Sequence, residues 1–598
     1  MSIAGGRSFA TVFRRRIFQE RPTFVTSDKT QPYWGAWPAG EGQWDFALWS
    51  PDRDTLELKI DDKLHALTKD AEGTFRGRFP ARTGDRYGYV LDGVVVPDPA
   101  ARRQAGEVHA MSLLTRDPQA PSPWQGRDWV DTAMVEIHIG TFTREGTFTA
   151  AAAKLADLAA LGVNTVEVMP IAQFGGARGW GYDGVLPYAV HPAYGAPQDF
   201  ADFVGAAHAL GISVLLDVVY NHFGPDGAYI HGLAPSFFDE GRTTPWGPAV
   251  DFTRRPVRDF FIRNARMWVE AFGVDGFRFD AVHQLVDPSE RPFFTELTES
   301  LRALDTIRPL HLVAEDERNL AADREAGRID AQWNDDFHHA MHVLLTGEDE
   351  GYYANYAADP MADLCLALAE GQVEQGQPRV GPSRGAPSGD LPPQAFVNAN
   401  QTHDQIGNRA LGDRLIKLAG PDAVRIAHAV LLTAPYVPML FQGEEAGSYA
   451  PFPFFADFEG DLAEAVRSGR KEEFKDFGGF AGELPDPLDR ATRDMARPYD
   501  DLPEDADDWR RLTARLLGWR ATQVLPLLRS GRAEPARVRA TGPCSAVASW
   551  AFEAGTLDLA FHFGTVPDTP HLWPDSPERL TLGAPGTPFG FCAWTTSR

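Results

Sequence analysis

Residues 197–217 read PQDFADFVGAAHALGISVLLD. Pro197 suits the first turn of a helix, and Phe200, Phe203, Val204 and Ala207 recur at helical spacing. Gly211 is placed to end that helix, and the apolar run 212–217 starts at once. The same unit occurs on either side. Thr149 is expected to cap a helix in which Leu155, Leu158 and Leu161 share a face; Gly162 ends it and a strand at 163–169 follows. Pro256 opens a third helix lined by Val257, Phe260, Phe261, Asn264, Met267 and Trp268, closed by Gly273 and followed by a strand at 276–280. Helices alternating with strands in this way build a parallel sheet with crossover connections.

Carried along the chain, this grammar places strands at 134–142, 163–169, 212–217, 276–280, 311–315, 331–334, 396–400 and 438–443. Eight units favour a closed (β/α)8 barrel, a TIM barrel, whose chemistry gathers at the C-terminal ends of the strands. Polar residues do gather there. Strand three runs into DVVYNH (217–222), strand four is GFRFD (276–280), and strand five ends in VAED (313–316). Strand six ends in Asn334, Asp335 and Asp336, strand seven in NQTHD (400–404) with Gln405, and strand eight in Glu444 and Glu445.

Asp280, Glu315 and Asp404 each follow an apolar strand and converge on one mouth. Three carboxylates in one place repel, so at least one is expected to keep its proton. An ionised nucleophile beside a protonated acid is what glycoside hydrolysis requires. A lone strand-end acid is ordinarily a salt-bridge partner, but three together with Arg278 and two histidines point to catalysis. A zinc site built on Asp217, His222, Asp280 and His283 is the competing reading; it lacks an H-x-H after strand one, where only His138 stands, and a bridging lysine. No metal and no cofactor is expected.

The composition agrees with a sugar enzyme. Lys+Arg number 57 against 83 Asp+Glu, a net charge of −26, which argues against nucleic acid or an anionic membrane as a partner. Fifteen Trp and 38 Phe supply flat apolar faces of the kind that sugar rings stack on, although large cores use most of them. The three cysteines, Cys365, Cys544 and Cys592, lie far apart without metal spacing, so a reducing cytoplasm is expected, with the chain acting as a monomer. No apolar window is long enough to span a bilayer.

The four strand-end motifs DVVYNH, GFRFD, VAED and NQTHD, in this order and with MPI at 169–171, resemble those of the α-amylase superfamily of glycoside hydrolases. The resemblance implies Asp280 as nucleophile, Glu315 as general acid/base and Asp404 as transition-state stabiliser. It implies that Arg278 keeps Asp280 ionised, that His222 and His403 donate to sugar hydroxyls, and that Tyr182 stacks under the ring. Asn221 corresponds to a calcium ligand of α-amylases, but no acidic partner set accompanies it. Further stretches, EIHIGTFT (136–143), GWGYDGV (179–185), PWGPAVDF (245–252), QWNDDFHH (332–339), GNRALG (407–412) and PFFADF (453–458), are similar to the malto-oligosyltrehalose trehalohydrolase subgroup. That resemblance implies malto-oligosyltrehalose and maltooligosaccharides as substrates, with a glycogen branching enzyme as the alternative. A sugar-binding protein without activity is disfavoured, because all three carboxylates are kept. The leaving trehalose should be read by strand ends four to seven, which flank Glu315: His283, Asn334, Asp335, Asp336, Gln405 and Asn408.

Outside the barrel, short alternating runs from Asp45 to Asp98 (Leu56, Leu58 and Ile60; Tyr87, Tyr89 and Leu91) separated by Asp- and Gly-rich turns predict an N-terminal β-sandwich. Strands at 547–552 and 557–563 predict a small C-terminal antiparallel β domain. The domain limits expected are an extension at 1–30, the sandwich at 31–105, the barrel at 106–530 and the C-terminal sheet at 531–598. Residues 101–130 should be a connection, 371–394 a flexible loop on the non-catalytic face, and 507–525 the eighth barrel helix. Arg14, Arg15 and Arg16 have no apolar run after them, so 1–30 is not expected to be a secretory signal.

Overall fold

The computed structural model describes residues 32–118, 123–244, 246–380, 382–474, 483–566, 579–584 and 587–597. The extension expected at 1–30 lies outside them. Eight parallel strands, Met134–Ile137, Thr165–Val168, Ser213–Val218, Gly276–Phe279, His311–Ala314, Ala331–Trp333, Phe396–Ala399 and Val437–Phe441, form a closed barrel. Closure is direct: Met134, Val135 and Glu136 pair with Met439, Leu440 and Phe441. All eight expected strands exist, but the first is shorter than expected. After Ile137 the chain turns into a short buried helix, Ile139–Phe142, because it must bend over the barrel rim.

The crossover helices follow their punctuation with one correction. The first, Phe148–Leu161, is capped by Thr147 and not Thr149: the Thr147 hydroxyl accepts from the Ala150 amide. Gly162 ends it at a φ of 96°, a conformation glycine adopts without strain. Pro197–Ala209 buries Phe200, Phe203, Val204 and Ala207, and Arg255–Phe272 buries the expected face, including Trp268 against Phe200 and Phe272. The eighth helix spans Ala506–Trp519, with Trp509, Leu516 and Leu517 buried.

Side chains alternate along each strand, so the barrel interior is layered. Met134, Leu215, Val313, Ala331, Val397, Val437 and Met439 form an apolar floor. Two residues further along their strands, Glu136, Asp217 and Glu315 follow Met134, Leu215 and Val313, and Glu167 and Arg278 pair in register with Glu136 and Asp217. The lower barrel is therefore oil and the upper barrel is charge.

Two antiparallel sheets form the N-terminal sandwich. One holds Trp34–Gly40, Gln43–Trp49, Thr74–Pro80 and Thr68–Lys69; the other is built on Glu57–Ile60 and Arg86–Leu91. A first strand at Trp34–Gly40 precedes the expected start of the pattern, and the segment 101–130 lends Ser112–Leu113 to the second sheet. The Trp34 indole donates to the Pro256 carbonyl and packs on Phe237 and Phe260, which fastens the sandwich to the barrel. At the other end a five-stranded antiparallel sheet, Arg537–Gly542 through Phe591–Ser597, leans on the barrel through Trp550, which donates to the Leu368 carbonyl.

One placement is overturned. The stretch 371–394 does not lie wholly on the non-catalytic face. Its start is buried at the catalytic end, where the Val373 and Glu374 amides donate to Asp336 just beyond the sixth strand. Only its end descends to the opposite face, where the Trp129 indole donates to the Gln394 carbonyl ahead of the first strand.

Candidate active site

The fourth strand decides the site. Gly276 is required because a Cβ there would lie 1.9 Å from the His311 carbonyl of the neighbouring strand. Two residues on, Arg278 points inward and is fully buried. Its Nη1 donates to Asp217 at 2.8 Å and to Asp280 at 2.7 Å, and its Nη2 donates to Glu315 at 2.6 Å. The guanidinium also stacks on Trp333 at 4.2 Å. A single cation thus joins the ends of strands three, four and five and rests on strand six.

The two carboxyl groups on either side of it differ in charge. Burial pushes Asp280 up, but Arg278, the Asn221 amide and His222 outweigh it and hold the group below the usual carboxylate range. Asn221 donates to Asp280 Oδ2 at 2.9 Å and to its carbonyl at 3.1 Å. Glu315 is pushed well above its ordinary value by burial, and the charges of Asp280, Asp404 and Asp335 outweigh the pull of Arg278. Its Oε2 accepts from Arg278 and from the Ala281 amide at 3.0 Å. Ala281 reaches that position with φ 42° and ψ 55°, a left-handed conformation that costs an alanine about 1 kcal/mol. Environment alone pushes two adjacent carboxyls apart, Asp280 toward its ionised form and Glu315 toward its protonated form.

Asp404 sits in the five-residue helix His403–Gly407, with its side chain 37% exposed at the mouth. Thr402 caps that helix, and Gln405 completes the cap by accepting from the Thr402 amide and hydroxyl. Tyr182 follows Gly181, whose φ of 102° and close approach to the Pro170 carbonyl exclude any side chain. Its hydroxyl donates to Asp217 at 2.6 Å, and its ring lies on His403 at 5.0 Å. Burial raises Asp217 to about 7 against the pull of Arg278.

The structure brings Tyr182, His222, Arg278, Asp280, Glu315, His403 and Asp404 together. Other expected sugar contacts are engaged elsewhere. Asp336 is buried, and its oxygens accept from Tyr356, Asn319, Val373 and Glu374. Asn334 is buried, and its amide donates to Gly371 and Asn398. Both hold the long loop, Asp336 through its two oxygens and Asn334 through its amide nitrogen. Gln405 is spent on its cap apart from a 3.4 Å approach to Asp335. The two nitrogens of His222 meet Asn221 Oδ1 and the Tyr182 carbonyl, while its ring lies under the half-exposed Trp246 at 4.0 Å. His283 is half-buried, with Nε2 3.7 Å from Glu317, and Asn408 is exposed. Asp335 remains at the mouth, its carboxyl raised to about 7 by burial and by the charges of Asp404 and Asp336. Phe452, Phe455 and Phe458, which follow strand eight, are buried in two small clusters outside the main core. Among the described residues, no group of three or more His, Cys, Asp or Glu is arranged to hold a metal ion.

The family model for the alpha amylase catalytic domain matches residues 127–265. A Deinococcus radiodurans protein named malto-oligosyltrehalose trehalohydrolase is 42% identical over 76% of this chain and 76% of its own length. One of the same name from Saccharolobus solfataricus is 41% identical over 72% and 78%. A solved Salmonella typhimurium chain, provisionally described as an alpha amylase, superposes with a TM-score of 0.89 at 41% identity, covering 95% of this chain and all of that one. Fold, site and relatives agree on a glycoside hydrolase of the α-amylase superfamily. Within it, the chain belongs to the malto-oligosyltrehalose trehalohydrolase family.

Arg278→Lys tests the bridging cation. A point-charge ammonium cannot fork between three carboxylates, so kcat/KM should fall by about 10²–10³. Asp280 loses support in its ionised form, so the acidic limb of the pH profile should move to higher pH. A full profile of kcat/KM checks both, and an unmoved acidic limb contradicts the electrostatic role.

Proposed function

We propose that this enzyme hydrolyses the α-1,4-glucosidic bond next to the terminal trehalose of malto-oligosyltrehalose, releasing trehalose and a maltooligosaccharide with retention of configuration. The observation that carries the proposal is the pair Asp280 and Glu315 on opposite nitrogens of one buried guanidinium, in a chain whose relatives bear that activity in their names. One guanidinium apart is the close spacing of a retaining pair; an inverting pair leaves room for a water between.

In this reading the Asp280 carboxylate attacks the anomeric carbon while Glu315 gives its proton to the departing glycosidic oxygen. Trehalose leaves, and the glycan is held as an ester on Asp280. Glu315, now ionised, takes a proton from water as that water attacks the same carbon, which returns both groups to their starting states. Asp404 binds ring hydroxyls and stabilises the cationic transition state. Both bonds made by Glu315 fall on Oε2, which leaves Oε1 to carry the transferred proton. On the leaving side, Asp335 replaces Asp336 as the residue suited to reading trehalose, because it is the one of the two that still faces the mouth.

The reading extends to a cytoplasmic, monomeric enzyme without a nucleic-acid partner. It is supported by three free thiols and by a net charge of −26. Among the described residues, no helix is long and apolar enough to cross a membrane.

Incubation with maltotriosyl-trehalose should give free trehalose and maltotriose. New α-1,6 branches on amylose without trehalose would instead identify a branching transferase. Asp280→Ala should lower turnover by roughly 10⁴ or more while the fold persists; a variant keeping a tenth of the native rate removes Asp280 from the role. Asp335→Asn should lower kcat/KM for maltotriosyl-trehalose about tenfold more than for maltopentaose, because a site built on hydrogen bonds discriminates through the partners left unpaired. Equal losses on the two substrates would move trehalose recognition elsewhere.

A further inference from the structure

Glu136 is the inward-facing acid of the first barrel strand, is fully buried, and has no part in the chemistry described so far. Its Oε2 accepts from the backbone amide of His403 at 3.1 Å, and its Oε1 meets Nδ1 of the same ring. The far nitrogen, Nε2, lies 3.4 Å from Asp404 Oδ1. A carboxylate offers only acceptors. With a carboxyl group facing each nitrogen, the doubly protonated, cationic ring is the form that suits both neighbours. It lies flat against Tyr182 and edge-on to Trp180, out of solvent.

We propose that Glu136 is a positioning residue of the reaction, holding His403 as an imidazolium with its Nε2–H turned to Asp404 at the floor of the sugar site. The inference rests on the reading of Asp280, Glu315 and Asp404 as the reacting carboxyls. The pair also ties strand one to the end of strand seven, so the position of Asp404 is fixed across the barrel seam. The fixed cation offsets the crowding of Asp280, Asp404 and Asp335 before substrate arrives.

The titratable groups around the ring are Glu136 on strand one, His138 just beyond its end, Glu167 on strand two, Tyr182 in the segment that follows, Asp217 on strand three, Arg278 on strand four and Asp404 beside it. Burial lowers His138 to about 3 and raises Glu167 well above the carboxylate range, so it favours the neutral form of both. Burial would deprotonate His403, but Asp404 and Glu136 outweigh burial and Arg278 and raise it to about 9.

The test uses the full-length enzyme with 13C-labelled histidine and no substrate. The His403 resonance is identified by its loss in His403→Gln and titrated by NMR. Native His403 should titrate near 9. In Glu136→Gln, which keeps shape but not charge, the midpoint should fall by about one pH unit or more, and the alkaline limb of kcat/KM should fall with it. Glu136→Asp restores the charge and should bring both part of the way back. A native midpoint at or below the ordinary 6.5 overturns the inference. So does a Glu136→Gln enzyme that loses rate with both midpoints unmoved, because its role would then be structural support alone. If Glu136→Gln does not fold, the native titration decides. That titration needs no turnover, so it stands apart from the assays of Asp280.

Discussion

The charged upper half of the barrel depends on one ion, the guanidinium of Arg278. Five carboxyl groups, Glu136, Glu167, Asp217, Asp280 and Glu315, gather where the strands end, and a buried carboxylate without a partner is too costly to persist. Arg278 answers three of them with two nitrogens and presents its flat face to Trp333. Its fork geometry matters as much as its charge. A planar donor fixes the direction of each carboxylate, whereas a point charge fixes only distance. Asp217 is itself held by Tyr182, so the aromatic wall of the site is tied to the same cation.

Much of this was legible in the sequence, because barrels separate their information by position. Helix–glycine–strand punctuation located the strands, and the residues immediately after them carried the chemistry. What the sequence could not resolve was which neighbour turns inward. Asp335 and Asp336 are adjacent at the start of one helix, and that helix turns them in different directions: one to the mouth, the other to the amides of Val373 and Glu374. Nothing in a string of residues marks that rotation. Thr147 and Thr149 pose the same problem, since both can cap and only the path of the preceding loop selects one. The loop at 371–394 departs from its expected place because a connection between a helix and a strand need not stay at one end of the barrel. Glu136 gives the sequence one signal, an acid inside the apolar run Met134–Ile137. Its partner, His403, is 267 residues away, and only barrel closure brings them together.

The site works by prior arrangement. In the proposed mechanism its charges are set before substrate enters: Asp280 is held toward its ionised form, Glu315 toward its protonated form, and His403 as a cation between Glu136 and Asp404. Each is set by neighbours that the fold supplies at strand ends, so little reorganisation remains for the chemical step. The sandwich and the C-terminal sheet pack on the barrel through Trp34 and Trp550, away from this constellation. In the proposed function, discrimination of the trehalose end falls to the leaving side, with Asp335, His283 and the half-exposed Trp246 as its candidates.

The central claim is that Asp280 and Glu315 act as an adjacent nucleophile and acid. It is tested most directly by following the hydrolysis of maltotriosyl-trehalose by 1H NMR from the first turnovers. Trehalose has no reducing end, so the anomeric signal that grows belongs to the newly formed end of maltotriose. The account predicts the α-anomer first, with the β-anomer appearing only at the rate of mutarotation. An initial β-anomer would mean that water attacks from the opposite face between more widely spaced carboxyls, and would contradict the account at its centre.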